Sequence, residues 1–166
     1  DILIIVNKGQ LETYKKIIPN GKNLGIKITY KEQKKPVGIP DAFKLGEEFI
    51  KKENVALILG DNFFYGQYLT QLLKKCSKLS NGAKVLLHKV SKPSLYGVAK
   101  INNNKKISLI KEKPKKFVSN LAITGLYFFD NKVINFTKSL KPSKRGELEI
   151  VDLLNIYLKK KQLKAE

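Results

Sequence analysis

The first half of the chain alternates between short apolar runs and segments whose apolar residues recur at helical spacing. Unbroken or alternating apolar runs of four to seven residues are typical of strands, whereas recurrence every three to four residues is typical of helices. This pattern predicts strands over residues 2–6, 25–31, 55–59 and 83–87, and helices over residues 10–18, 39–50 and 68–79. The alternation indicates an α/β fold with a mostly parallel central sheet and helices on both of its faces.

The second half of the chain is richer in strands. Strands are predicted over residues 97–101, 107–111 and 123–129, with a turn at 102–104 between the first two, and helices are predicted over 131–139 and 148–160. Neither an internal repeat nor a Gly/Ser-rich linker interrupts the pattern. The sequence therefore predicts one domain over residues 1–166.

Charge is the unusual feature of the composition. The chain of 166 residues carries 33 Lys and Arg against 14 Asp and Glu, a formal net charge of +19. All but one of these cations are lysines, and Arg145 is the exception. Lysine does not match the planar, forked recognition of bases and phosphates by arginine, so a solvated lysine surface is favoured over a nucleic-acid interface. A polyanion-binding face stays open as the alternative.

Several classes of protein are disfavoured by what the composition lacks. One cysteine, Cys76, and one histidine cannot build a Cys/His zinc site or an internal disulfide, which fits a reducing cytoplasm. Apolar runs fall short of a membrane span, and no signal peptide is recognisable. The sequence has no Met and begins directly in an apolar run, which is typical of a processed or truncated chain.

Asp61 is the first candidate for chemistry. It follows the predicted strand 55–59, and ligands of open α/β sheets bind beyond the carboxyl ends of strands. A carboxylate there suits a divalent cation that bridges phosphate oxygens, and Gly60 and Gly66 allow close approach of a ligand. The alternative is that Asp61 and Asn62 only cap a turn.

Glu112, Lys113 and Arg145 are the other candidates. Glu112 and Lys113 end the strand 107–111, and they share a cleft only if the chain bends at Pro114; otherwise they are an ordinary surface pair. The single arginine indicates a position that requires a bidentate contact, for example with phosphate. Its alternative role is an ion pair with Glu147 or Glu149.

Taken together, five segments resemble the sugar nucleotidyltransferases, and in particular their thymidylyl branch. The resemblance covers essentially the whole chain and is carried by residues 57–66 (LILGDNFFYG), 96–98 (YGV), 112–114 (EKP), 123–130 (ITGLYFFD) and 140–150 (LKPSKRGELEI). It implies a Rossmann-like nucleotide-diphospho-sugar transferase fold. The implied reaction joins dTTP and glucose 1-phosphate into dTDP-glucose and pyrophosphate with the assistance of Mg²⁺.

The resemblance also implies a role for each matched position. Gln33 and Gly38 would receive the thymine, Asp61 would hold the metal, and Asn62 would lie beside the nucleotide. The glucose pocket would be formed by Gly97, Glu112 and Ile123. Lys113 and Arg145 would be the catalytic cations that bind the phosphate.

The chain also departs from the family pattern. The family's glycine-rich triphosphate loop and its second metal-binding carboxylate segment are absent, and Pro40 and Asp41 stand where the family has alanine and glutamine. We therefore expect a central fragment, truncated at both ends and inactive alone, of an enzyme that forms homotetramers in the cytoplasm. The alternatives are a uridylyltransferase for the same sugar phosphate and a non-catalytic RNA- or polyanion-binding domain.

Overall fold

A computed structural model describes residues 1–166 of the chain. The strands are β1 (Ile2–Asn7), β2 (Ile28–Gln33), β3 (Val55–Ile58), β4 (Ala83–Lys89), β5 (Gly97–Ile101), β6 (Ile107–Glu112), β7 (Leu121–Phe129) and β8 (Leu163–Ala165). The helices are α1 (Leu11–Ile17), α2 (Asp41–Leu45), α3 (Glu47–Ile50), α4 (Leu69–Ser77), α5 (Val133–Lys138) and α6 (Ile150–Lys159). None of the helices has both the length and the apolar character required to cross a membrane.

The predicted order of elements is confirmed, with two differences. The helix predicted over 39–50 is divided at Gly46 into α2 and α3, because Gly46 ends one helix and begins the next. The short strand β8 was not predicted. It pairs with β4 through three residues, a length at which periodicity carries no signal.

The strands form two sheets. β1 and β2 pair in parallel as a separate two-stranded sheet. The other six strands form one sheet in the order β6-β5-β7-β4-β8, and β3 pairs with β7 on the same side as β5.

The α/β class is confirmed, but the expectation of a mostly parallel sheet is corrected. Only β1–β2 and β4–β8 pair in parallel, whereas β7 runs antiparallel to β3, β4 and β5, and β5 runs antiparallel to β6. The antiparallel pairing arises because β7 lies between β3 and β4. These two strands run in the same direction, but each pairs with β7 and not with the other. The helical connections of the first half do not reveal a strand inserted from the second half.

Side chains of β7 alternate between two apolar cores, as the pleat of a strand requires. Tyr127 and Phe129 join the larger core with α2, α3, α5 and α6. Leu126 and Phe128 join a smaller core against α4, which includes Cys76. Helices therefore cover both faces of the sheet, as predicted.

A buried hydrogen-bond network ties the carboxyl end of β7 to its neighbours. Asp130 is only 3% exposed, and its two carboxylate oxygens accept hydrogen bonds from the Gly82 amide and the Tyr157 hydroxyl, both at 2.8 Å. Burial and the hydrogen bond to Asp130 raise the pKa of Tyr157 far above its usual value. The network therefore joins β7, α6 and the start of β4 through one carboxylate.

Substitution of Tyr157 by Phe should lower the free energy of unfolding by about 1.5–3 kcal/mol, the size expected for a buried hydrogen bond to a charged group. The measurement is urea unfolding followed by circular dichroism. Tyr65→Phe is the matched control, because Tyr65 is 92% exposed. Equal losses in the two variants would contradict a structural role for the Asp130 network.

Candidate functional site

The candidate site lies at a gap along one edge of β7. On this edge β3 pairs with β7 from Phe129 to Leu126, and β5 pairs with β7 at Ala122. Between these two positions the backbone of β7 has no strand partner on that side. The gap at Ile123, Thr124 and Gly125 is where the loop that leaves β3 meets the sheet.

The loop after β3 closes part of this gap with a side chain. The Asn62 Oδ1 accepts the Gly125 amide hydrogen at 2.9 Å, and its Nδ2 donates to Asp61 Oδ1 at 2.7 Å. A Cβ at Gly125 would lie 2.6 Å from the Asn62 side chain, so only glycine leaves room for this contact. Asn62 thus fixes the orientation of the Asp61 carboxylate relative to β7.

A cavity of about 890 Å³ opens at the gap. The structure brings six of the nine predicted site residues to its wall: Asp61, Asn62, Gly97, Glu112, Lys113 and Ile123. They come from the loop after β3, from the ends of β5 and β6, and from β7. Because these segments lie far apart in the chain, only the pairing of β7 with both β3 and β5 places them together.

Glu112 and Lys113 line the same cavity although they are consecutive residues. In an extended strand their side chains would point to opposite faces. Lys113 instead has a positive φ of 38°, outside the strand region, and its amide donates to the Tyr96 carbonyl at 3.0 Å. This bend directly before Pro114 turns the carboxylate and the ammonium into one cleft.

The Glu112 carboxyl group is held in an unfavourable environment for its charge. Burial is the largest cause that raises its pKa, and the carboxylate of Glu149 raises the pKa further. The positive charges of Lys113 and Arg145 lower the pKa and offset part of this increase. The absence of a side chain at Gly97 makes room for it, since a Cβ there would lie 3.0 Å from Glu112 Oε2. A half-buried acceptor beside a cavity is suited to a ligand with hydroxyl donors.

Tyr127 is a further residue of the cavity, and no motif in the sequence assigns it a role. It is 4% exposed and lines the cavity from β7. Burial, followed by the carboxylates of Glu112 and Asp61, raises its pKa to about 12, so the phenol remains a hydrogen-bond donor at neutral pH. Within the apolar run of β7, periodicity cannot distinguish a cavity tyrosine from a core aromatic.

Gln33 and Gly38 do not line this cavity. Gln33 ends β2 opposite Asn7 of β1, and its Nε2 donates to Asn7 Oδ1 at 2.8 Å. Gly38 lies against the segment before α6, where a Cβ would be 2.1 Å from the Leu148 carbonyl oxygen. Because φ is +117° and the Leu148 backbone approaches so closely, glycine is the only residue type that fits at position 38.

Arg145 also lies outside the cavity wall and is exposed. Its guanidinium binds the Glu149 carboxylate, with Nη2 at 2.8 Å from both oxygens. The ion pair considered as an alternative is therefore present in the structure. Arg145 and Glu112 nevertheless interact through their charges: Arg145 lowers the pKa of Glu112, and Glu112 raises the pKa of Arg145.

The residues present fit Mg²⁺ only as a partial site. Asp61 has one oxygen engaged by Asn62, and its second oxygen has no protein partner. No group of three or more His, Cys, Asp or Glu residues is placed to hold a metal ion. Because Mg²⁺ is often bound through one or two carboxylates together with substrate phosphates and water, Asp61 suits an ion that arrives with a nucleotide.

A central sheet with helices on both faces, and a cavity beside its central strand that presents carboxylates and a cation, define an α/β domain with a site suited to a small polar ligand. The Nucleotidyl transferase family profile matches residues 1–166. The chain therefore belongs to the nucleotidyl transferase family.

Several individual members of this family are similar to the chain in sequence. Glucose-1-phosphate thymidylyltransferases of Neisseria meningitidis and Mycolicibacterium smegmatis are 45% and 39% identical to the chain over 166 residues. The alignments cover the whole chain but only 58% and 57% of those proteins. The chain thus spans a little over half the length of the curated relatives that it matches.

Solved structures agree in fold. A Bacillus anthracis structure, provisionally described as a glucose-1-phosphate thymidylyltransferase in complex with sucrose, matches with a TM-score of 0.90 and 41% identity. That match covers the whole chain and 67% of the other. A UDP-glucose pyrophosphorylase complexed with UDP-glucose matches less closely, with a TM-score of 0.79, 26% identity and coverage of 98% and 70%.

Replacement of Gly38 by Ala should destabilise the chain by about 1–3 kcal/mol, because the new methyl group would overlap the backbone at Leu148. Gly60→Ala is the control, since a Cβ at Gly60 meets no atom within 4 Å. Thermal or urea unfolding of the two variants measures the difference. If Gly38→Ala were as stable as Gly60→Ala, the close approach would not exist in solution.

Substitution of Glu112 by Gln should increase stability at neutral pH. The folded-state pKa of Glu112 is raised, so its contribution is favourable below the unfolded-state pKa and is lost as the pH rises through the folded-state pKa. The variant should therefore unfold at a higher urea concentration than the wild type at pH 7, and the difference should shrink towards pH 4. A loss of stability at pH 7 would contradict this account.

Proposed function

We propose that residues 1–166 are part of the catalytic domain of a glucose-1-phosphate thymidylyltransferase, which forms dTDP-glucose and pyrophosphate from dTTP and glucose 1-phosphate. The observation that carries the proposal is the cavity at the gap beside β7, where Asp61, Glu112 and Lys113 come together. The names of the relatives at 39–45% identity support the choice of substrates.

The sugar would bind at the end of the cavity formed by Gly97, Glu112 and Ile123. The Glu112 carboxylate would accept hydrogen bonds from sugar hydroxyls, and Tyr127 would supply a neutral donor on the neighbouring strand. Gly97 would leave the ring room to approach the strand backbone. This division of acceptor, donor and open backbone suits a small polyhydroxylated ligand.

Lys113 and Arg145 would bind the phosphate of the sugar phosphate. One ammonium and one guanidinium would offset the charge that opposes the approach of a second anion. A phosphate oxygen would then attack the α-phosphorus of dTTP, forming a new P–O bond while the bond to the β-phosphate bridging oxygen breaks and pyrophosphate leaves. The protein would contribute positioning and electrostatics without a covalent intermediate.

The nucleotide would extend from the cavity wall at Asp61 and Asn62 to Gln33 at the end of β2, which lies outside the cavity wall. Asp61 would hold Mg²⁺, which would neutralise phosphate charge when bound, and Asn62 would keep the Asp61 carboxylate in place. Gln33 would face the thymine with its free amide oxygen, because its Nε2 is already bonded to Asn7. An acceptor there matches the imide N–H of thymine.

Uridylyl transfer to the same sugar phosphate is the second candidate, supported by the match to a UDP-glucose pyrophosphorylase. Uracil presents the same imide edge as thymine, so Gln33 alone does not discriminate between them. A homotetramer and a cytoplasmic location are further parts of the proposal, carried over from the family resemblance. Comparison of the affinities of dTTP and UTP separates the two candidates.

The test is a titration of the chain with glucose 1-phosphate, followed by NMR. Lys113→Ala should weaken binding by roughly tenfold, the size expected for loss of one charge-assisted hydrogen bond. Lys115→Ala is the matched control, because Lys115 is an exposed lysine two residues away that does not line the cavity. Equal affinities of the Lys113→Ala variant and the wild type would contradict the proposed phosphate site.

A further inference from the structure

The segment from Ser143 to Glu149 holds the chain's single arginine in a defined orientation. Arg145 presents one edge of its guanidinium to Glu149, with Nε at 3.2 Å and Nη2 at 2.8 Å from Oε1, and Nη2 also at 2.8 Å from Oε2. The remaining nitrogen, Nη1, has no hydrogen-bond partner in the protein. Its two N–H groups therefore stay available to a ligand.

Glu149 is itself fixed by its surroundings. Its Oε1 also accepts the Ser143 hydroxyl at 2.7 Å, and its side chain is 14% exposed, against 49% for Arg145. Burial alone would raise the pKa of Glu149, but the hydrogen bonds from Arg145 and Ser143 outweigh it and hold the pKa below its usual range. Glu149 therefore remains an ionised anchor for a more exposed partner.

The backbone beside Glu149 is connected to the loop between β2 and α2. Glu149 directly precedes α6, and the preceding residue, Leu148, donates its amide to the Val37 carbonyl at 2.8 Å. Val37 belongs to the loop between β2 and α2 that also contains Gly38. The position of Arg145 is thus set relative to the backbone of this loop and not only by its own flexible side chain.

The charge of Glu149 makes this arrangement costly for a site that binds anions. Its carboxylate lies close enough to raise the pKa of Glu112, and it would repel a phosphate bound at Lys113 and Arg145. An anionic residue in such a place is explained if the orientation that it imposes on Arg145 outweighs the repulsion.

We propose that Glu149 is a positioning residue: it holds the Nε–Nη2 edge of Arg145 so that the Nη1 edge faces the phosphate of the sugar phosphate. The proposal deepens the proposed function and rests on it for the identity of the ligand. Orientation and charge make opposite predictions for removal of the carboxylate. Loss of negative charge alone would tighten binding of an anion, whereas loss of the orientation would weaken it.

The experiment compares Glu149→Gln with Glu147→Gln in titrations of the chain with glucose 1-phosphate. Both substitutions remove one negative charge from the same segment, but Glu147 is 51% exposed and lies 3.9 Å from Arg145 Nη2, with no side-chain hydrogen bond to it. Glu149→Gln should bind glucose 1-phosphate roughly three- to tenfold more weakly than the wild type. Glu147→Gln should bind it equally well or slightly more tightly.

A second readout is independent of ligand binding. Because the chain has one arginine, its Nε–H gives a single signal in a ¹H–¹⁵N spectrum. In the wild type and in Glu147→Gln this proton should be protected from exchange with water, and in Glu149→Gln its exchange should accelerate by about tenfold or more. If Glu149→Gln only destabilised the fold, the unfolding midpoint would shift while the exchange rate of the Arg145 Nε–H proton stayed the same.

The outcomes separate the two levels of the proposal. The positioning role is supported if Glu149→Gln shows weaker binding and faster Nε–H exchange and Glu147→Gln shows neither. Tighter or unchanged binding in that variant overturns it, as does an unchanged exchange rate. If the wild type bound no glucose 1-phosphate, the proposed function would fail, and the exchange rates would still decide whether Glu149 orients Arg145.

Discussion

The pairing of β7 with three other strands is the interaction on which the rest of the structure depends. β7 is the only strand with three partners, and its side chains supply both apolar cores. Because β3 and β5 share one of its edges without meeting, a gap remains between them. The cavity, the bend at Lys113 and the contact between Asn62 and Gly125 all lie around this gap. The central strand thus creates the core and the site by the same set of hydrogen bonds.

The distribution of charge acquires a meaning when it is placed on this fold. Residues 62–146 contain eighteen Lys and Arg but only two carboxylates, Glu112 and Asp130. Asp130 is buried and holds Gly82 and Tyr157, and Glu112 lines the cavity. Neither is an ordinary solvated surface acid. In a stretch so poor in carboxylates, one of the two lies in a buried hydrogen-bond network and the other lies on the wall of the cavity.

Local periodicity was sufficient to predict most of the elements but not their partners. The strand at 97–101 and the helices at 68–79 and 148–160 were placed within about two residues, because the burial of one face leaves its period in the sequence. Parallel or antiparallel pairing leaves no such period. It depends on which strand from elsewhere in the chain lies alongside, and β7 inserts between β3 and β4 after an intervening hairpin.

The candidate site divides in the same way. Motifs in the sequence by themselves singled out Asp61, Glu112, Lys113 and Arg145, because charged residues at the ends of apolar strands and a lone arginine among lysines are visible without coordinates. Only the tertiary structure showed that Gly38 serves a backbone contact with Leu148, that Tyr127 borders the cavity, and that Glu149 and not Glu147 forms the hydrogen bonds with Arg145. A residue type records which chemistry is available, whereas a role depends on neighbours that are distant in the chain and meet only when the sheet has formed.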